Sequence, residues 1–190
     1  VVSTDEYKVF HNKKNKRTLR YGPLPKNVYE HMLVYGNRLS PSATVVRKSF
    51  LQKENITFNE NKNFITVEDY DFWLRLAFSG ARFKFIPSVQ GEYLVHSSNI
   101  SSREEIHHNN EIYLIEDHVF NIQSFTKNKI KLLKRIECRL KISDLRKGLH
   151  ERNIISLINI FLKILFNYPI ASFLYISERA ISKIKNYYLS

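Results

Sequence analysis

One cysteine (Cys138), one tryptophan, one methionine, five glycines and five prolines are all that 190 residues contain of these types. A single thiol excludes an intrachain disulfide and a cysteine-built zinc site, and it fits a reducing compartment. So little Gly and Pro excludes a linker-like composition and argues against a solenoid of tight turns; no internal repeat is found either. Acidic residues are also scarce, 18 against 30 Lys and Arg, leaving a formal charge of +12. That imbalance implies an anionic partner: nucleic acid, a phospholipid surface or a phosphorylated small molecule. The opening residues Val1 to Glu6 are neither basic nor followed by a long apolar run, so no signal peptide is read there.

What the chain does have is apolar and aromatic mass. Hydrophobic residues make up 43%, with 13 Phe and 11 Tyr, enough for a real core. Val1 to Phe10 reads as a strand, His11 to Arg17 as a basic turn and Thr18 to Tyr21 as a second extended piece before a Gly22-Pro23-Leu24-Pro25 loop. Val28 to Val34 reads as a helix stopping near Gly36. A turn at Pro41 leads into a short strand, and Ser49 is expected to cap a helix through Gln52. Ala81 to Ile86, closed by Pro87, and Glu92 to His96 read as separate strands. Arg103 to about Phe125 reads as a helix with Ile106, Tyr113, Leu114 and Val119 on one face. Short strands interleaved with helices mean an α/β or α+β domain up to about residue 125.

The densest local signal is Thr66 to Gly80. Glu68, Asp69 and Asp71 precede Phe72, Trp73, Leu76 and Ala77, which recur at helical spacing, and Gly80 stands where a left-handed cap ends a helix. Carboxylates at a helix N-terminus are stabilised as anions and can serve as a general base or bind a metal. The same residues also fit a plainer role. Thr66 and Asp69 resemble a capping box, and Asp71 with Arg75 has the spacing of a surface ion pair. Trp73 and Phe72 share a face with Leu76 and are read as core rather than as sugar-stacking platforms.

From residue 126 to 190 the character changes. Fourteen basic residues stand against four acidic ones, so this tail carries most of the excess charge. Ile130, Leu133, Ile136 and Leu140 recur at helical spacing between the charges. Ile154 to Phe166 is nearly all apolar, but Asn159 and Lys163 interrupt it and it is short for a membrane span. Basic amphipathic helices of this kind lie on anionic membranes, pack on a neighbouring domain or bind nucleic acid, here in decreasing order of preference.

Several pieces taken in order resemble family 2 glycosyltransferases of the GT-A fold. They are Val1-Val2-Ser3-Thr4-Asp5, Asn37-Arg38-Leu39-Ser40-Pro41-Ser42 with Val45-Val46-Arg47-Lys48, Phe58-Asn59-Glu60, Glu68-Asp69-Tyr70-Asp71-Phe72-Trp73-Leu74-Arg75-Leu76 with Gly80, and Tyr93-Leu94-Val95-His96 with Asn99 and Ser101. The resemblance covers roughly the first hundred residues and corresponds to the later, acceptor-side half of such an enzyme. It implies a partial GT-A, Rossmann-like α/β domain over residues 1–125, followed by a basic amphipathic helical extension over 126–190. The nucleotide-binding half with its Asp-rich metal motif would lie upstream, and the first strand would then be left with an unpaired edge. Asp69-Tyr70-Asp71 spells D-x-D, but its place before the Trp73-Leu74-Arg75-Leu76 segment matches the acceptor-side acidic motif instead. Asn59 replaces the family's usual Asp, at a position that reads as loop closure.

The resemblance further implies a single inverting displacement. A sugar passes from a nucleotide-sugar donor to a saccharide or lipid-linked acceptor, as in bacterial surface polysaccharide synthesis. Asp69 is the expected base, with Glu68 and Asp71 orienting the acceptor or holding the helix start. His96 is the expected contact to the diphosphate or to a divalent Mn²⁺ or Mg²⁺, with a structural histidine as the alternative. The expected location is the cytoplasmic face of the plasma membrane, reached through the 127–190 tail, and the fragment alone is expected to be inactive. The competing function is a non-enzymatic basic domain that binds a membrane surface or nucleic acid.

Overall fold

The structure is a computed structural model that describes residues 1–10, 13–95, 104–122, 129–151 and 154–177. The chain divides into two compact units, Val1–Ser124 and Phe125–Ser190, each described here by itself. The first is mixed α/β, the class the alternation of short strands and helices predicts.

Its sheet is organised on β1 (Val2–Phe10). On one side β1 pairs antiparallel with β3 (Thr44–Val45) at its start and with β2 (Lys13–Leu19) towards its end. On the other side it pairs in parallel with β4 (Lys84–Val95). The first strand is therefore central, and the expected unpaired edge does not occur on it. The basic stretch read as a turn over His11 to Arg17 is largely β2, because pairing to β1 outweighs the weak strand propensity of Lys and Asn. β4 is continuous where two strands are expected. Pro87 is tolerated because the register shifts twice across Thr4, Asp5 and Glu6, and a bulge is where a ladder can do without an N–H.

The first, third and fourth helices supply the core beside this sheet, and the second buries none of its residues. α1 (Val28–Tyr35) begins at Asn27, whose side chain accepts the Glu30 N–H at 3.1 Å, and buries Met32, Leu33 and Val34. α2 (Lys48–Glu54) is short and starts at Arg47 without a side-chain cap; Ser49 lies inside its first turn, not at its cap. α3 (Glu68–Phe78) buries Tyr70, Phe72, Trp73, Leu74 and Leu76, and burial of such side chains stabilises by roughly 1.5–3 kcal/mol each. Tyr70 ties α3 to α1 by donating its hydroxyl to the Met32 carbonyl at 2.6 Å.

α3 ends as its sequence predicts. The Ala81 N–H reaches the Leu76 carbonyl at 3.0 Å and the Gly80 N–H reaches Ala77 at 3.2 Å, while Gly80 takes a φ of 81°. This is a Schellman closure, which favours a residue free of Cβ at the left-handed position. α4 (Glu104–Asp117) passes into a π-helical turn at His118–Ile122. Its inward residues are Leu114, Ile115, His118 and Val119; Ile106 and Tyr113, expected on that face, are exposed.

The second unit holds α5 (Lys129–Glu151), α6 (Ile154–Asn167) and α7 (Pro169–Ser177). Cys138, Ile164 and Ala171, one from each helix, form its core, with Ile142, Leu145, Ile160 and Tyr168 packed around them. Pro169 opens α7 at the first helical position, where its missing N–H costs nothing, and turns the chain through 101° between α6 and α7. Among the described residues no single helix is long and apolar enough to cross a membrane. A second set of apolar side chains on α6 and α7 faces away from the core, including Ile155, Phe161, Phe166, Ile170, Phe173 and Ile176.

Candidate functional site

The residues on which a base would be built stand at the start of α3. Thr66, just before it, has a φ of 73°, strained for a β-branched residue, and its hydroxyl is buried without a partner among the described residues. The loop is held in this form from α4: Asn110 donates to the Ile65 carbonyl at 2.8 Å, and His107 Nδ1 lies 3.1 Å from the Thr66 carbonyl oxygen. Val67 is the N-cap and has no side-chain cap bond, so the expected Thr66 and Asp69 capping box does not form.

Asp69 is half-buried. Its Oδ1 accepts the Tyr70 N–H at 2.7 Å, and its Oδ2 accepts from the Asn37 amide at 3.1 Å. Asn37 is itself oriented, because its Oδ1 accepts the Leu39 N–H at 3.0 Å, which leaves only the NH₂ end to point at Asp69. Burial pushes the Asp69 carboxyl up to about 6, and the neighbouring Glu68 charge adds to that. The hydrogen bonds from Tyr70 and Asn37, with the field of His107, pull the other way and are outweighed. The helix terminus therefore does not keep this carboxylate at an ordinary acidity: desolvation prevails, and Asp69 comes within the range in which a base is useful near neutral pH.

Glu68 stands beside it, half-buried, with Oε2 enclosed and without a hydrogen-bond partner among the described residues. Asp71 is in a different environment. It is 1% exposed; its Oδ2 accepts from Arg75 Nε at 2.8 Å and its Oδ1 lies 3.0 Å from His118 Nε2. Tyr29 continues the chain, its hydroxyl 3.2 Å from His118 Nδ1. Burial and the Asp117 and Asp71 charges raise the Tyr29 phenol above its usual range, so it stays a neutral hydroxyl. The Asp71 and Arg75 pair predicted at the surface is thus a buried link, and it joins α3, α1 and the π-turn. Arg75 also donates to the Thr57 carbonyl, and Phe58 stacks on Phe72 with ring centroids 4.3 Å apart. The Phe58-Asn59-Glu60 piece closes the loop over α3, as read from the sequence. Phe72 and Trp73 are core.

A second buried carboxylate group lies on β1. Asp5 Oδ1 accepts the Tyr21 N–H at 2.9 Å, while Glu6 accepts the Tyr21 and Ser42 hydroxyls, the latter at 2.6 Å. The segment from Asn37 to Ser42 therefore touches Asp69 at one end and Glu6 at the other. Asn37, Glu6 and His118 carry these arrangements and were not singled out from the sequence. Asn37 falls within a recognised piece, but its role depends on a contact 32 residues away.

His96, the expected diphosphate or metal contact, lies outside the described residues together with Asn99 and Ser101. Among the described residues no group of three or more His, Cys, Asp or Glu side chains is arranged to hold a metal. A cavity of about 560 Å³ in this unit lies elsewhere, between the Leu24 to Tyr29 segment and the turn after α3 at Gly80, Ala81 and Arg82. No protein-family model, no curated protein and no solved structure matches this chain.

Proposed function

We propose that the first unit is the acceptor side of an inverting, family 2 type glycosyltransferase with a GT-A fold, and that Asp69 is its base. The observation that carries this reading is the Asp69 carboxylate, fixed by Asn37 and the Tyr70 N–H and raised to about 6 while not fully buried. In the reaction an acceptor hydroxyl oxygen bonds to the anomeric carbon of a nucleotide sugar as the bond to the diphosphate breaks. The hydroxyl proton passes to Asp69, and the nucleoside diphosphate leaves with the electron pair. Asn37 positions the carboxylate and takes no proton. The field of Glu68 beside it raises the affinity of Asp69 for the proton. Asp71 acts by holding α3.

The donor pocket belongs, on this reading, to an upstream nucleotide-binding half, which supplies the divalent Mn²⁺ or Mg²⁺ site. The 127–190 tail brings the enzyme to the anionic inner face of the plasma membrane, where a lipid-linked or saccharide acceptor is extended.

An enzyme carrying both halves, given a nucleotide sugar with Mn²⁺, is expected to release nucleoside diphosphate only when an acceptor saccharide or lipid-linked saccharide is present. Its kcat/KM is expected to rise with pH to a plateau, with a midpoint near 6. No release above the uncatalysed rate with donor, Mn²⁺ and acceptor all present would favour the non-enzymatic reading of a basic surface-binding domain, and a rate that stays level between about pH 5 and 8 would remove Asp69 as the base.

A further inference from the structure

The second unit contains a groove of about 440 Å³ between the start of α5 and α7, a volume in the range of small-molecule sites. Ile130, Ile170, Ala171 and Leu174 make its apolar lining, and Lys131, Lys134 and Arg135 are the charged groups among its described residues. These three are at i, i+3 and i+4 on α5, so they project from one side of that helix. Lys131 and Lys134 are exposed. Ile130 and Ile170 are 71% and 73% exposed, unusual for isoleucines bordering a recess. On α7 the exposed Phe173 is the i+3 neighbour of Ile170, and Ile176 is in turn the i+3 neighbour of Phe173, so the groove borders a wider apolar surface.

We infer that this groove binds one anionic lipid, its hydrocarbon chain against Ile130, Ile170 and Leu174 and its phosphate headgroup at Lys131 and Lys134. The inference deepens the membrane part of the proposed function and rests on it. Two features select the occupant. Among the described residues the lining offers a sugar or a nucleobase no aromatic platform and no hydroxyl or amide side chain, which disfavours ligands held by stacking. Its cations stand along one side only, the distribution that suits an amphiphile with a single charged end. Continuity with the exposed face of α7 gives the lipid a route of entry from a bilayer, at little cost in desolvation.

The test uses the whole 190-residue chain and a short-chain, monomeric phosphatidylglycerol. Phosphatidylcholine of equal chain length, inorganic phosphate, and phosphatidylcholine vesicles with and without phosphatidylglycerol complete the set. Variants are the pair Lys131→Ala with Lys134→Ala, and Lys163→Ala, an exposed lysine of α6 outside the groove. Protection of the buried Cys138 thiol from an alkylating reagent reports that each variant keeps its core. Short-chain phosphatidylglycerol is expected to bind the native chain, more tightly than the choline lipid and far more tightly than phosphate. The paired variant should lose about tenfold in affinity and Lys163→Ala should lose none. Equal losses in both variants, or phosphate binding as well as the lipid, would overturn the groove. Vesicle binding that survives in the paired variant, without short-chain lipid binding to the native chain, would remove the groove and leave the membrane reading standing. No binding to anionic vesicles at all would remove both.

Discussion

Asp69→Asn is expected to lower transfer by roughly 10²–10⁴-fold, the usual share of a positioned general base, while the chain still folds. The amide keeps the shape of the carboxylate and can still accept the Tyr70 N–H, but its conjugate acid is too strong for it to hold a proton near neutral pH. It also presents an NH₂ group to the NH₂ of Asn37, which cannot turn over without abandoning the Leu39 N–H. A modest local rearrangement at Asn37 is therefore expected, and Asp69→Glu, which keeps the acid but moves it, separates loss of the base from loss of position. A variant with near-native kcat would remove Asp69 from the chemistry.

The same carboxyl links stability to pH. Its folded value of about 6 lies above the ordinary 3.8, so between those two the folded chain binds the proton more tightly than the unfolded chain. Stability from this group is complete below about pH 4, declines as pH rises to 6, and is level above. Discounted for partial exposure, native protein should lose about 1–2 kcal/mol relative to Asp69→Asn across that window. The difference between the two unfolding curves isolates Asp69 from the other carboxylates.

The second large effect is on the fold. Asp71→Ala removes the acceptor for both Arg75 Nε and His118 Nε2, inside a core where Asp71 is 1% and His118 0% exposed. Breaking a buried charge network from one side costs about 3–5 kcal/mol; Arg75 is partly reached by water, which places the expectation near the low end, about 3 kcal/mol. For a unit of this size the melting temperature should fall by roughly 10–15 °C. Asp71→Asn, which can still accept from His118 but faces Arg75 with a donor, should fall between native and Ala. If Asp71 held the acceptor sugar instead, Asp71→Asn would lose transfer at native stability. Thermal unfolding followed beside transfer in the same variants decides between the two.

Much of the fold was legible because local chemistry and tertiary packing agree. Gly36 and Gly80 end helices at positive φ, and the apolar spacing after Asp71 buries α3. What escaped the sequence depends on partners distant in the chain. β2 is a strand only because β1 lies beside it. β4 runs through Pro87 because a bulge removes the need for its N–H. Asp5 and Glu6, consecutive on the central strand β1, are both buried, which the expectation of one wet face does not predict. At the candidate site the carboxylates were legible as a group, and their division of labour was not. Asp69 and Asp71 differ by two residues on a helix, which turns one towards Asn37 and solvent and the other towards His118 and the core. A helix-terminus argument treats both as stabilised anions. Burial reverses that for Asp69, and burial is a property of the assembled unit.

Proton abstraction by this unit depends most on Asp69 being a weak acid at the start of α3. Carbon-13 NMR of the Asp69 side-chain carboxyl, assigned by its disappearance in Asp69→Asn and followed from acid to neutral pH, reads that property directly. A midpoint near 6 is the predicted result. A midpoint at or below about 4, the ordinary range for an exposed aspartate, would contradict it.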